Sequence, residues 1–66
     1  MLGKIRRIMD RGYGFIRGED GKDYFFHRSS VEGTTFETLS EGQSVEFDVE
    51  ADRRGRGPRA IRVRTG

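Results

Sequence analysis

The sequence DRGYGFIRGEDGKDYFFHRSS, residues 10–30, contains two short aromatic segments joined by a turn-rich link. Tyr13 and Phe15 lie two residues apart in the first segment, and Phe25 and His27 lie two residues apart in the second. Successive side chains of a strand point to opposite faces, so each pair is expected to share one face of a hairpin. The opposite face would hold a second apolar set: Ile16, Tyr24 and Phe26. A sheet with apolar groups on both faces buries one in a core and offers the other to a flat hydrophobic partner.

Unpaired nucleic-acid bases are a flat partner of this kind. A base that stacks on an aromatic side chain gains about 1–3 kcal/mol, with little dependence on which base it is. We therefore predict Tyr13, Phe15 and Phe25 to be stacking platforms. The alternative makes this face the core, but it would expose Ile16 and turn the two glycines of the GYG segment toward solvent.

Two further rings are candidates for the same surface. His27 shares the strand parity of Phe25, which favours a binding role by stacking or hydrogen bonding over that of an ordinary strand residue. Phe36 lies in a long connection between strands. It could extend the stacking surface or cover the end of a barrel, and the residues alone leave both roles open.

Charge along the chain is segregated, although the net charge is only +2. Residues 34–52 carry six acidic side chains and no basic one, whereas residues 53–66 carry six arginines and no acid. Eleven of the 13 cations are arginine, whose guanidinium binds phosphate bidentately and stacks on flat rings. This bias favours single-stranded RNA or DNA as partner. The alternative is that oppositely charged outer rows pair with each other.

Length and composition exclude several classes of protein. The 66 residues form one expected domain, 1–66, with no cysteine and a single histidine, so neither a disulfide framework nor a metal site is predicted. The glycines of the aromatic motif do not complete a dinucleotide-binding fingerprint, so no cofactor is expected. The sequence also offers no combination of a nucleophile, a base and an oxyanion site for catalysis. No signal or membrane-spanning segment is visible. We expect a cytoplasmic monomer that is not an enzyme.

Turn-forming residues and alternation of apolar and polar side chains together predict five short strands at residues 4–9, 13–17, 23–28, 43–50 and 59–64; the first is assigned from the turn formers at residues 10–12 that follow it. The three-residue spacing of Ile5 and Ile8 in the first would by itself also suit a helix. Residues 29–42 are expected to form a long connection with one helical turn. The side chains expected to face inward in the last two strands are Val45, Phe47, Val49, Ile61 and Val63. The pattern predicts an all-β, five-stranded antiparallel OB-fold barrel, with an SH3-like barrel as the alternative.

Two motifs resemble those of cold-shock domains. RGYGFI at residues 11–16 matches their RNP1-like motif, and YFFH at residues 24–27 resembles their RNP2-like motif. The similarity continues through Phe36, residues 39–47 and RGP at residues 56–58. It implies an OB-fold barrel that binds single-stranded RNA and DNA and acts as an RNA chaperone. RNA-recognition-motif domains share the first hexamer, but they contain two amphipathic helices that this chain lacks room for.

The chain departs from that family at two positions that bear on binding. Arg7 stands where most members have tryptophan, and Arg28 replaces an aromatic residue after the histidine. We predict that both supply guanidinium stacking and phosphate pairing, which would make binding more sensitive to salt. The full set of predicted phosphate contacts is Lys4, Arg6, Arg7, Arg11, Arg17, Arg28 and Arg56. A peptide-binding module would also use exposed aromatics, but it has less use for these cations.

Overall fold

The computed structural model describes residues 1–51 and 58–65 and contains five strands that close into a barrel in the order β1-β2-β3-β5-β4. Their bounds are Leu2–Met9 (β1), Tyr13–Gly18 (β2), Asp23–His27 (β3), Ser44–Glu50 (β4) and Arg59–Thr65 (β5). The all-β, five-stranded prediction is confirmed. One neighbouring pair differs from the expected antiparallel pattern, because β3 meets β5 in parallel through Phe25 and Arg59.

The β2–β3 hairpin has the register that its alternation predicts. Phe15 is opposite Phe25, and Ile16 is opposite Tyr24. Ile16 and Tyr24 are buried, as is Phe26, whereas Phe25 is 39% exposed. The inward set identified from the sequence therefore forms part of the core, and the Phe15 and Phe25 side chains project from the other face.

The core is tightly packed around two fully buried rings, Phe26 and Phe47. Gly14 of β2 faces inward, and a Cβ there would lie 2.9 Å from the Phe26 ring. The absence of a side chain at Gly14 thus lets the backbone of β2 approach the core ring closely. The Phe26 ring therefore lies directly against the backbone of β2 at Gly14.

A β-bulge in β1 explains the ambiguous spacing of its isoleucines. Ile5 is opposite Ile16 and Arg7 is opposite Phe15, so Arg6 is an extra residue in the ladder. The extra residue shifts the inward and outward alternation of β1 by one position. Ile5 is therefore buried and Ile8 also packs against the core, although they are three residues apart. The bulge also turns Arg7 to the same face as Phe15.

A second bulge overturns the predicted inward set of β5. The register changes between Glu46 and Asp48, and Arg62 in the bulge has a positive φ of 52°. Ala60 and Val63 are consequently the buried residues, whereas Ile61 is only half-buried. The prediction for Ile61 was wrong because strict alternation does not hold across the bulge.

Val49 was also predicted to face the core, but it is 42% exposed. It shares the parity of Val45 and Phe47, which are buried. However, β4 pairs with β1 only through residues 44–46, and beyond them it has β5 as its one strand neighbour in the described residues. Val49 therefore lies beyond the segment of β4 that pairs with β1, and its side chain is left exposed.

The connection between β3 and β4 contains two single-turn 3₁₀ helices, Arg28–Ser30 and Phe36–Thr38, rather than one helical turn. β3 accordingly ends one residue before the predicted boundary. Phe36 is buried, with its ring centroid 5.8 Å from that of Phe26. It packs over the core at this end of the barrel, which favours the second of the two roles that the sequence left open over the extension of the stacking surface.

The acidic outer row of β4 pairs with the arginines of β5, as the charge pattern predicted. Arg64 lies 2.8 Å from Glu46, and Arg62 lies 3.8 Å from Asp48. The hydrogen bond from Arg64 also lowers the pKa of the Glu46 carboxyl. These half-exposed pairs contribute little to stability, but they account for part of the arginine excess in structural terms.

Candidate nucleic-acid interface

The outward residues of the β2–β3 hairpin form one aromatic surface, which we define as Tyr13, Phe15, Phe25 and His27. The ring centroids of Tyr13 and Phe25 are 5.6 Å apart, and those of Phe15 and Phe25 are 5.9 Å apart. Tyr13 is opposite His27 across the hairpin, so the four side chains occupy neighbouring positions. Tyr13 and Phe15 are half-buried and Phe25 is exposed, which leaves ring surface available to a flat ligand.

His27 has one ring nitrogen committed to its own chain. The backbone N–H of Ser29 donates to His27 Nδ1 at 3.2 Å and caps the first 3₁₀ helix. Nδ1 is therefore an acceptor, and the neutral ring carries its hydrogen on Nε2. The exposed imidazole can thus offer an N–H donor to a ligand as well as a flat face.

A row of side chains crosses four strands through the centre of this surface. Arg7 is opposite Phe15, Phe15 is opposite Phe25, and Phe25 is the parallel partner of Arg59. With neighbouring strands about 4.8 Å apart, the row spans roughly 14 Å from its first backbone position to its last. Two aromatic residues are thus flanked by an arginine on each side, which we call the Arg-Phe-Phe-Arg row.

Arg59 was not among the residues predicted from the sequence to contact phosphate. Its place beside Phe25 depends on the parallel contact between β3 and β5, two strands that residues 28–58 separate in the sequence. Alternation within β5 shows only that Arg59 and Ala60 face opposite sides. No local signal indicates which strand lies next to it.

The cations predicted to contact phosphate fall into two groups, according to whether a described carboxylate lies within ion-pair distance. Arg17 Nε donates to Asp23 Oδ1 at 2.6 Å, and Arg6 Nε lies 3.9 Å from the same carboxylate. The Arg17 bond lowers the pKa of Asp23. Among residues 1–51 and 58–65, no carboxylate lies within ion-pair distance of the remaining predicted cations, Lys4, Arg7, Arg11 and Arg28. Arg56 lies outside the described residues.

Arg28 is placed by the β1–β2 turn. Its backbone N–H donates to the Gly12 carbonyl at 2.8 Å, next to the Tyr13–His27 pair. Gly12 has a φ of 89°, and a Cβ on it would lie 3.0 Å from Arg28 Cδ. Glycine at this position therefore serves both the left-handed turn and the close approach of the Arg28 stem. The arrangement holds an exposed cation at the His27 end of the aromatic surface.

Over residues 1–51 and 58–65, no three His, Cys, Asp or Glu side chains gather where they could hold a metal ion. Nor does any helix in those residues have the length and apolar character needed to cross a membrane.

Comparison with known proteins agrees with this geometry. The model of the 'Cold-shock' DNA-binding domain matches residues 1–65. Cold shock protein 1 of Lactiplantibacillus plantarum is 54% identical over 54 residues, which cover 82% of this chain and 79% of that protein. Cold shock-like protein CspLB of Listeria monocytogenes is 50% identical with the same coverage. The major cold shock protein of Streptococcus pyogenes serotype M6 is 46% identical, over 82% of this chain and 78% of its own. The chain therefore belongs to the cold-shock DNA-binding domain family.

Proposed function

We propose that this protein binds single-stranded nucleic acid, RNA or DNA, by stacking bases on the aromatic surface. The observation that carries the proposal is the placement of Tyr13, Phe15 and Phe25 on one outward face, with centroid separations of 5.6–6.4 Å. In a duplex the base faces are covered by their neighbours, so only an unpaired strand can use this surface. Family membership supports this function and does not favour the alternative of a peptide-binding module.

The phosphates of the bound strand meet those cations around the aromatic surface that have no carboxylate partner within residues 1–51 and 58–65. Arg7 lies at one end of the Arg-Phe-Phe-Arg row, and Arg28 lies at the His27 end. Both are exposed, so both can stack on a base or pair with a phosphate. Lys4 and Arg11 supply further contacts. Arg6 and Arg17 contribute less in this scheme, because Asp23 already neutralises part of their charge.

In the cell, such binding suits an RNA chaperone or a regulator of transcription or translation. A protein that binds only the unpaired form of a strand shifts the equilibrium away from base-paired structures. Stacking tolerates any base, so the shift applies to many sequences. We further propose that the protein acts as a cytoplasmic monomer, without catalysis, metal or cofactor. A lone histidine and the absence of cysteine support the proposal that no transition metal is bound.

The test is a salt titration of binding to fluorescein-labelled oligothymidine and oligouridine, followed by anisotropy. Each phosphate contact on a single strand contributes about 0.7 to the slope of log affinity against log salt. We expect Arg7→Ala and Arg28→Ala each to weaken binding at low salt and to lower the slope by about 0.7.

Lys22→Ala provides the matched control. It removes the same charge from the β2–β3 turn, at the opposite end of the hairpin from Arg28. A Lys22→Ala effect as large as those of Arg7→Ala and Arg28→Ala would show that only net charge matters. No binding of the unaltered protein to either oligonucleotide at low salt would overturn the proposed function itself.

A further inference from the structure

Arg59 projects from the same face of the barrel as the aromatic surface. It is the register partner of Phe25, and both side chains are exposed. The residues that follow them, Phe26 and Ala60, are each 0% exposed. Alternation along both strands therefore turns Arg59 outward beside Phe25, at the end of the Arg-Phe-Phe-Arg row opposite Arg7.

The guanidinium of Arg59 is held by a carboxylate of the neighbouring strand. Arg59 Nη2 donates to Glu50 Oε1 at 3.0 Å, and the two residues are register partners in the β4–β5 ladder. Their side chains are 52% and 49% exposed. An ion pair this accessible to water is weak and is screened by salt. A phosphate oxygen can therefore take the place of the carboxylate at little cost in stability.

Arg64, on the same strand, is less available to a ligand than Arg59. It lies 2.8 Å from Glu46 and 4.0 Å from Asp48, so two carboxylates contact it. It is also less exposed, at 37%, and its register partner is Glu46 rather than an aromatic residue. Among the residues that the structure describes, Arg59 has one carboxylate partner, Glu50, and it also lies beside a stacking ring, whereas Arg64 has two such partners and no ring.

We infer that Arg59 is a further nucleic-acid-binding residue, and that Glu50 competes with the phosphate of the bound strand for its guanidinium. This inference rests on the proposed function and adds to it. In the free protein Glu50 neutralises Arg59. When a base stacks on Phe25, the adjoining phosphate replaces Glu50, and the released carboxylate returns to water. Glu50 thereby lowers the affinity of the protein for nucleic acid. It also makes the Arg59 end of the row selective for a polyanionic strand over an isolated base.

The experiment compares Glu50→Gln, Arg59→Gln and the double variant with the unaltered protein, using labelled oligothymidine across a range of salt concentrations. Arg59→Gln should weaken binding and reduce the salt slope by about 0.7. Glu50→Gln should strengthen binding at low salt, by up to about fivefold, because it removes a competitor for one exposed cation. In the double variant this gain should disappear.

Glu46→Gln is the matched control, since it removes an equal charge from the same strand but takes a partner from Arg64 instead, which Asp48 still contacts. An equal gain from Glu46→Gln and Glu50→Gln would overturn the inference in favour of a net-charge effect. An unchanged affinity and slope for Arg59→Gln would overturn it as well. Because the unaltered protein is measured in the same series, failure of the proposed function would be seen separately, as no binding by any variant. Thermal unfolding of each variant confirms that the barrel is intact.

Discussion

Replacing Phe15 with alanine should separate binding from folding. Phe15 is half-buried on the outer face, where its ring contacts Tyr13 and Phe25 at centroid distances of 6.4 and 5.9 Å. Loss of one stacking platform costs about 1–3 kcal/mol of binding free energy, which corresponds to roughly 5- to 150-fold weaker binding. The charges are untouched, so the slope of log affinity against log salt should stay the same.

The effect of Phe15→Ala on stability should be much smaller than that of a core substitution. Phe26, on the other face of the same hairpin, is 0% exposed, and its replacement by alanine should lower the free energy of unfolding by about 3–5 kcal/mol. For Phe15→Ala we expect about 1 kcal/mol, from the lost edge-to-face ring contacts. Urea unfolding gives the stabilities, and anisotropy of a labelled oligonucleotide gives the affinities. Unchanged affinity, or a stability loss equal to that of Phe26→Ala, would refute the assignment of the two faces.

Three further predictions concern stability. Gly14→Ala would press a Cβ against the backbone carbonyl oxygen of Arg7 and place it 2.9 Å from the Phe26 ring, so the free energy of unfolding should fall by about 1–3 kcal/mol in urea titrations; an unchanged midpoint would contradict the packing. Val49→Ala, on an exposed side chain, should change that free energy by less than about 0.5 kcal/mol. The hydrogen bond from Arg17 lowers the pKa of the Asp23 carboxyl in the folded protein. The ionised carboxylate therefore stabilises the fold above the ordinary pKa of 3.8, and this stabilisation is lost as the pH falls through the lower pKa of the folded state. The melting temperature should therefore drop in this acidic range, and less steeply in Asp23→Asn.

The sequence predicted the hairpin because two independent local signals agree there. Strand alternation separates Phe15 and Phe25 from Ile16 and Tyr24, and the glycine of the DG turn, Gly21, has the positive φ, 81°, that a tight connection favours. Each signal depends on neighbouring residues alone. The two faces of the hairpin could thus be assigned without knowledge of the rest of the barrel.

Bulges and long-range pairing limited the remaining predictions. One inserted residue in β5 moved the inward position from Ile61 to Ala60, and alternation contains no information about where a strand departs from it. Phe36 lies in an irregular connection, so its burial against Phe26 depends on how that connection folds over the barrel end. Arg59 lies at the candidate site because β5 pairs in parallel with β3 at one position. Prediction of these features requires knowledge of the assembled barrel.

The hydrogen bond between Tyr24 and Asp20 gives the protein an optical reporter of its own. The chain has two tyrosines and no tryptophan, and the buried Tyr24 donates its hydroxyl to the Asp20 carboxylate, which raises the pKa of Tyr24. A phenol bonded to a carboxylate emits weakly, because the excited hydroxyl readily gives up its proton. Emission should therefore come mainly from Tyr13, within the aromatic surface. Intrinsic fluorescence can then follow occupancy of this surface without any attached dye.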